Sequence, residues 1–470
     1  MKSVYVVGVH TIKFGKYLEK SIKDLSGETL RGCVADAGVK MSDIESMWFS
    51  NSGWGDKLQG SIRGQVATRP HGMEKIPITN VENACASAST AFHHAWMSVA
   101  SGLYDCTLAL GAEKLYNTNR MATMVGFMGG IDVENCVEIV KNLSDFQMTE
   151  ADKEEMRRIR AKYAPGNGGG RKNGRKKSVK ERIKEARDQF VVAIKIGEAL
   201  GYDTLRELAK INAGDHSPFM DVYGYAARQH MKKFGSTVEQ LAVIAAKNHR
   251  NSTMNPNAQY RFDVSVEQAL ADRVVSWPLT RSMCAPIGDG AASAILCSHA
   301  MARRLGVLDR AVKVRASILG SGADRPFGFD EPEIGERLSR LAYQKAGVGS
   351  EDIDLCEVHD ATSYGELRQV ENLGFCKPGE GGILAEQGET DLGGRIPTNT
   401  SGGLTSRGHP IGASGLAQIH ELVTQLRGEA GRRQVPAPGL ALAENGGGAL
   451  GAEEAAMCIH ILEAPAKKKT

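Results

Sequence analysis

The sequence predicts a layered α/β fold in which two similar halves flank an inserted, mostly helical region. Three observations carry this expectation. The first is an internal echo: Ala37-Gly38-Val39, followed by Asp43-Ile44 and the apolar run Met47-Trp48-Phe49-Ser50, recurs 309 residues later as Ala346-Gly347-Val348, Asp352-Ile353 and Leu355-Cys356-Glu357-Val358-His359. The second is alternation: amphipathic helical stretches are separated by short strands that are hydrophobic on both faces, as sheets covered by helices on both sides require. The third is an interruption, because residues 116–245 break the alternation with a Met-rich, charged and Gly-rich stretch.

Taken in order, residues 1–115 form the first half. They enter directly into a strand (SVYVVGV), then a helix over 28–37 that stops at Gly38 as a C-cap, then the strand 47–50. A short apolar stretch and turn, Ile76-Pro77-Ile78-Thr79-Asn80, leads to Cys85, a buried helix rich in Ala, His, Trp and Met, and a strand from Cys106 to Ala112. Residues 116–245 are the inserted loop domain, with Gly166 to Gly174 (GNGGGRKNG) read as a mobile surface loop. Strands return at 273–298, where Gly288-Asp289-Gly290-Ala291-Ala292 turns into a buried run, so 246–300 completes the first half. Residues 301–470 form the second half, with a helix at 334–346 ending at Gly347, the strand 355–359, a helix starting near His409 and a strand at 440–443.

With 470 residues, 41% hydrophobic and 24% charged, the chain can bury a substantial core. No apolar stretch approaches the roughly 18 residues of a membrane span, and no signal-peptide pattern opens the chain. The terminal Lys467-Lys468-Lys469-Thr470 differs from a Ser-Lys-Leu-type address. A cytoplasmic protein off the membrane is expected. The nine cysteines include no CxxC pair and no metal-ligand spacing, so no metal is expected, and all but Cys85 read as small buried hydrophobes. Residues 151–190 hold 14 Lys/Arg against 6 Asp/Glu, a local +8 within a net +3, which leaves −5 elsewhere. No pattern of aromatic residues alternating with basic ones accompanies these charges, which argues against nucleic acid. The segment reads as a solvated surface, or as a basic rim for an anionic ligand such as a nucleotide phosphate.

The chemistry concentrates around Cys85, in Asn83-Ala84-Cys85-Ala86-Ser87-Ala88-Ser89-Thr90. A thiol at a helix start faces backbone N–H groups and a helix dipole that favour thiolate, and its small neighbours admit an acyl group. Far along the chain, Gly402-Gly403-Leu404-Thr405-Ser406-Arg407-Gly408-His409-Pro410-Ile411-Gly412-Ala413-Ser414-Gly415 presents one His in a Gly-rich turn before another helix. A Cys nucleophile with a remote His base is a known catalytic pairing, and such partners meet in space. Two similar halves would bring Cys85, His359 and His409 to one site.

These residues, with Gly111-Ala112-Glu113-Lys114, the Gly-Asp-Gly-Ala-Ala turn, His359-Asp360-Ala361-Thr362 and the Gly-rich run from Glu444 to Gly451, resemble the thiolase superfamily. The similarity is to the branch of sterol carrier protein X and the lipid-transfer-type thiolases. The resemblance implies a five-layered fold of two duplicated βαβαβαββ halves plus a loop domain, as a homodimer, with acyl-CoA as substrate and coenzyme A as co-substrate rather than a bound cofactor. By correspondence Cys85 would be the nucleophile, His409 its base, and His359 an oxyanion-hole donor, directly or through water. The Cys85 N–H and that of Gly446 or Gly447 would form a second oxyanion hole. The resemblance also implies a possible small OB-fold, zinc-ribbon partner, and phosphate contacts from the basic 157–184 segment.

Two departures stand out. Thiolases carry a second cysteine as acid/base, in a Cys-x-Gly loop or at the third position of His-Asp-Cys-Phe; here Ala443-Glu444-Asn445-Gly446 and Ala361 occupy those places. Glu444 could replace the missing thiol if burial raises its pKa, and Tyr364 is a second candidate acid/base. The expected reaction is thiolytic cleavage of a β-ketoacyl-CoA, or the reverse condensation, through an acyl-cysteine. An aldolase-type lyase acting on a β-hydroxyacyl-CoA and a condensing acyltransferase or synthase are the alternatives, and retention of Cys85 weighs against the lyase. His93 and His94 read as packing residues, and Met-rich 121–128 as core or dimer contact.

Overall fold

The computed structural model describes residues 1–53, 59–118, 129–130, 132, 147–164, 218–323, 325, 327–451 and 453–466. The Met-rich 121–128, the Gly166–Gly174 loop and the basic run beyond 164 lie outside the described residues. The first half contains β1 (Val4–Thr11), α1 (Ile22–Ala37), β2 (Ser46–Ser50), β3 (Ile78–Val81), α2 (Ser87–Ala100) and β4 (Cys106–Lys114). The inserted region contributes α3 (Glu150–Tyr163), α4 (Pro218–Phe234) and the start of α5 (Val238–Thr253); a small ribbon of β5 (Val274–Ser276) and β6 (Leu279–Thr280) follows before β7 (Asp289–Ser298) rejoins the sheet. The second half holds β8 (Val312–Ser321), α6 (Ile334–Ala346), β9 (Leu355–Glu357), α7 (Ser363–Asn372), α8 (Ser414–Leu426), β10 (Leu440–Gly447) and β11 (Ala456–Glu463).

The strands line up as β3-β2-β4-β7-β1-β8-β11-β10-β9. The first five repeat in the rest: β2 lies parallel to β3 and β4, and β4–β7–β1 are antiparallel, just as β9 lies parallel to β10 and to a bridge at Thr398, and β10–β11–β8 are antiparallel. Only Tyr5–Lys313 and Val6–Val312 join β1 to β8, so the sheet divides there into two matching arms. The echo seen in the sequence is therefore structural. Helices α1 and α6 both end at a left-handed glycine, Gly38 at φ 64° and Gly347 at φ 69°, and each is followed by a single 3₁₀ turn, Met41–Asp43 and Ser350–Asp352.

Helix α1 starts at Ile22 rather than residue 28, because Ser21 caps it and Asp24 returns the bond to the Ser21 N–H. Strand β9 ends at Glu357 rather than at residue 359, which leaves His359 free of the ladder.

Burial follows five layers. One apolar cluster joins α1 to the outer face of the first arm (Leu25, Leu30, Leu108, Ile295), and another joins α6 to the outer face of the second (Leu338, Ile459, Ile461). Between the arms, α2 and α8 pack together through Ala91, Phe92, Ala95, Leu416, Ile419 and Val423. A fourth cluster unites α3, α4 and α5 with Leu279 and Cys284 and draws in Tyr364, Leu367 and Ala385.

Asp289 of the Gly-Asp-Gly-Ala-Ala turn explains that motif. Its fully buried carboxylate takes Lys114 Nζ at 2.8 Å, the Tyr17 N–H at 2.9 Å and the Tyr116 N–H at 2.7 Å, tying together the segments that follow β1 and β4. Asp289→Ala should lower stability by about 3 kcal/mol or more, read as an earlier midpoint in urea, because it strands a mostly buried ammonium and two amides.

Candidate active site

The two arms bring Cys85 and His409 together. Each sits just ahead of a helix of the central layer, with a 3₁₀ turn between or around it: Ala84–Ala86 before α2, Ile411–Ala413 before α8. Cys85 follows Ala84, which holds φ 47°, a left-handed conformation that costs an L-residue about 1–2 kcal/mol. The thiol is thus carried on a strained elbow.

The His409 Nε2 lies 3.2 Å from Cys85 Sγ, across 324 residues of chain. On the other side of the ring, Nδ1 is 2.7 Å from Ser414 Oγ, and the Ser414 hydroxyl donates to Pro410 O at 3.0 Å. With its proton committed to Pro410, Ser414 accepts from Nδ1–H, which leaves the Nε2 lone pair facing the thiol. That is the tautomer of a general base. His359 is arranged the opposite way: Asn445 Nδ2 donates to its Nδ1 at 3.0 Å, so Nε2 carries the proton and is a donor. The His359 and His409 rings meet edge to face with centroids 5.1 Å apart. One atom from each of Cys85, His359 and His409 falls within 4.8 Å of the others, the one such His/Cys/Asp/Glu group among the described residues. A direct Sγ–Nε2 hydrogen bond within this trio marks it as a proton-transfer set.

Neighbouring elements hold these residues in place. Asp360 accepts the Leu404 N–H (2.6 Å), the Thr405 hydroxyl (2.8 Å) and Asn248 Nδ2 (3.0 Å), which ties the His359 segment to the turn before His409 and to α5. Arg407 is buried against Glu357 and Ser401, each 3.0 Å away.

The charge state at rest differs from the sequence expectation. Burial, with Glu113 nearby, pushes the Cys85 thiol up to about 12, so desolvation outweighs the helix dipole and the sulfur rests as a thiol. Burial also takes His359 down to about 4 and, with His359 and Arg407, takes His409 well below its ordinary value. The resting pair is neutral thiol and neutral imidazole, and thiolate forms only as the proton passes to His409.

Glu444 is fully buried on β10. Its Oε2 accepts the His359 N–H at 2.8 Å, while Oε1 has no partner. Burial raises its carboxyl to about 8, and Glu454 and Asp360 add to the rise. Tyr364 is placed differently: it packs in the insert cluster, its ring 5.8 Å from that of His230, and burial raises its pKa. At Gly447, an added Cβ would lie 2.3 Å from Ala86 N and 2.7 Å from Cys85 N, so the strand end touches the elbow. The backbone amides of Gly448 and of Cys85 itself favour the thiolate and partly offset the burial that raises the thiol. His93 and His94 pack on Trp96 and Trp48, in line with a packing role.

Several residues escaped the sequence reading. Ser414 and Asn445 orient the two imidazoles; each lies inside a motif already singled out, yet only their contacts show the role. Tyr223 of α4 belongs to no motif. It packs against the insert cluster, and its hydroxyl is raised well above the ordinary value by burial, with Glu454, Cys85, Glu444 and Asp360 adding to the rise.

Residues 4–156 match the thiolase N-terminal domain family and residues 335–462 the thiolase C-terminal domain-like family. An acetyl-CoA acetyltransferase of Methanothermobacter thermautotrophicus is 34% identical over 98% of this chain and 99% of its own. Human sterol carrier protein 2 is 32% identical over 95% of this chain and 70% of its own, and the benzoylsuccinyl-CoA thiolase subunit BbsB of Thauera aromatica is 29% identical over 95% of both. The fold is shared with the Ltp2–ChsH2(DUF35) aldolase (TM-score 0.68, 19% identity, 99% of this chain and 98% of that one). It is shared also with human mitochondrial 3-ketoacyl-CoA thiolase (TM-score 0.61, 15% identity, 99% of both chains).

Gly447→Ala should change the rate of Cys85 alkylation by iodoacetamide by about tenfold or more, because the methyl group would press on the Ala86 and Cys85 backbone and displace the elbow. With its two domains matched and the acetyl-CoA acetyltransferase aligned over nearly its whole length, this chain belongs to the thiolase family and is an acyltransferase.

Proposed function

We propose that the protein cleaves a β-ketoacyl-CoA by thiolysis, or forms one by the reverse condensation, through an acyl-Cys85 intermediate. The observation that carries this reading is the 3.2 Å contact between Cys85 Sγ and a His409 nitrogen whose tautomer leaves it free to accept a proton. In the cleavage direction the Cys85 thiol passes its proton to His409 Nε2 as sulfur attacks the ketone carbonyl. Backbone N–H groups at Cys85 and the Gly446–Gly448 strand end hold the oxyanion, each such donor contributing about 2.7–4 kcal/mol. The bond between the α- and β-carbons then breaks, and the leaving enolate oxygen is held by His359 Nε2–H. A proton delivered to the α-carbon completes the acetyl-CoA product; the carboxylate left behind then takes the coenzyme A thiol proton as that sulfur attacks the acyl-cysteine, and His409 returns its proton to the departing Cys85 sulfur.

Glu444 supplies that last carbon-bound proton in place of the missing cysteine. Its support is a buried carboxyl raised to about 8, with one oxygen unpartnered, joined to the His359 backbone. Tyr364, held in the insert cluster, is the weaker candidate. The acetyl-CoA acetyltransferase and benzoylsuccinyl-CoA thiolase relatives support coenzyme A thioesters as substrates. A homodimer is supported by the outer edge of β3, unpaired among the described residues. An accessory subunit is supported by a relative named as a subunit and by the two named components of the aldolase neighbour. No helix among the described residues is long and apolar enough to cross a membrane, and eight unpaired cysteines, six of them buried, suit the reducing cytoplasm.

Intact-protein mass spectrometry after incubation with acyl- and β-ketoacyl-CoA esters tests the reading: wild type should gain an acyl mass that Cys85→Ala does not. Carbon–carbon cleavage that persists in Cys85→Ala, with no adduct in wild type, would turn the assignment to the aldolase. For Glu444, the neutral acid is needed in cleavage and the carboxylate in condensation. Cleavage should therefore decline as pH rises through about 8, and condensation should decline as pH drops below it. Glu444→Gln should slow both by about 10²–10⁴-fold and erase that limb in initial-rate profiles.

A further inference from the structure

One motif of the sequence is not used by the chemistry above. Glu113, at the end of β4, is fully buried, and none of its hydrogen-bond donors is a cation. Its Oε2 accepts the N–H of Ser52 and the N–H of Gly412, both at 2.9 Å. Its Oε1 accepts Asn51 Nδ2 at 2.8 Å and the Gly53 N–H at 3.1 Å. Three of these donors follow β2 in the first half, and the fourth belongs to the second half, three residues after His409.

Gly412 is gripped on several sides. Ser50 Oγ donates to its carbonyl oxygen, and an added Cβ would lie 2.8 Å from Glu113 Oε2 and 2.9 Å from the Asn51 Cα. Arg63 Nη1 in turn holds Asn51 through its carbonyl oxygen (2.8 Å) and Oδ1 (3.0 Å). The Ile411–Ala413 turn that Gly412 centres leads directly into Ser414, the residue that fixes the His409 tautomer.

We propose that Glu113 is a positioning residue for acyl transfer: by holding Gly412 against the end of β2 it keeps Ser414 under His409 and the imidazole aligned on the Cys85 thiol. This rests on the reading of His409 as the base for Cys85. Four hydrogen bonds to neutral donors in a buried site make the carboxylate a rigid clasp between the halves, and a shift of the clasped turn would misalign Nε2. The charge itself works the other way, since Glu113 raises the Cys85 thiol. Loss of the charge alone would ease thiolate formation, whereas loss of the clasp would impede it, so the two roles predict opposite signs.

The test is the second-order rate of Cys85 alkylation by iodoacetamide, followed by peptide mass spectrometry to separate it from the half-buried Cys376. Wild type is compared with Glu113→Gln, Ser50→Ala, His409→Ala and the Glu113→Gln/His409→Ala double variant. The expected result is slowing of about tenfold or more in Glu113→Gln, a smaller slowing in Ser50→Ala, and no further slowing when Glu113→Gln is added to His409→Ala. Ser50→Ala loosens the same turn without removing a buried charge, so it carries the test if Glu113→Gln does not fold. Alkylation as fast as or faster than wild type in Glu113→Gln, or in Ser50→Ala where it stands alone, with His409→Ala slow, overturns the clasp and leaves the base intact. Slowing that persists in the double variant also overturns it. Unchanged alkylation in His409→Ala instead overturns the base assignment itself, and the clasp with it.

Discussion

The site depends on how closely two helices approach in the middle of the molecule. Helices α2 and α8 come from opposite halves, yet at Gly415 an added Cβ would lie 2.1 Å from Ser89 Oγ and 2.5 Å from Asn445 Oδ1. Only hydrogen fits there. Apolar packing of Ala91, Ala95, Leu416 and Ile419 between the two sheet arms supplies the drive for that approach, and small residues set its limit. Because Cys85 and His409 each stand just ahead of one of these helices, the same packing that closes the core also sets the Sγ–Nε2 distance. Core and chemistry are one geometric problem here.

Burial then decides the protonation states. A helix start by itself favours thiolate, and the expected advantage is of the order of 1 kcal/mol. Removing the sulfur from water, with the Glu113 carboxylate close by, costs more than that, and the thiol rises to about 12. The same dry surroundings hold His359 neutral and take Glu444 to about 8. A site that rests uncharged and separates charge only during reaction suits acyl transfer. Under the proposed mechanism the His359 N–H and the β10 end meet charge as it forms rather than being satisfied beforehand.

The inserted region enters this arrangement from the side. Its apolar cluster takes in Tyr364 and Leu367 of the second half, and Asn248 on α5 bonds Asp360 next to His359. The insert is therefore joined to the Cys85–His359–His409 frame through side chains. The departures from the family pattern, Ala361 and Glu444 in place of cysteines, fall at this junction.

Much of this was legible in the chain. The Gly38 and Gly347 caps, the matching strands, and the Cys85, His359 and His409 segments follow local rules, because helix stops, turns and nucleophile elbows are governed by backbone sterics that residue type encodes directly. Their arrangement in order is what the family resemblance rests on. Other features were decided only in three dimensions. The tautomers set by Ser414 and Asn445, the neutral resting thiol, the place of Tyr364 in the insert cluster and the Glu113 clasp depend on which polar groups share a dry space. Residues hundreds of positions apart create that space, and desolvation acts through distance in the fold, to which sequence spacing is blind.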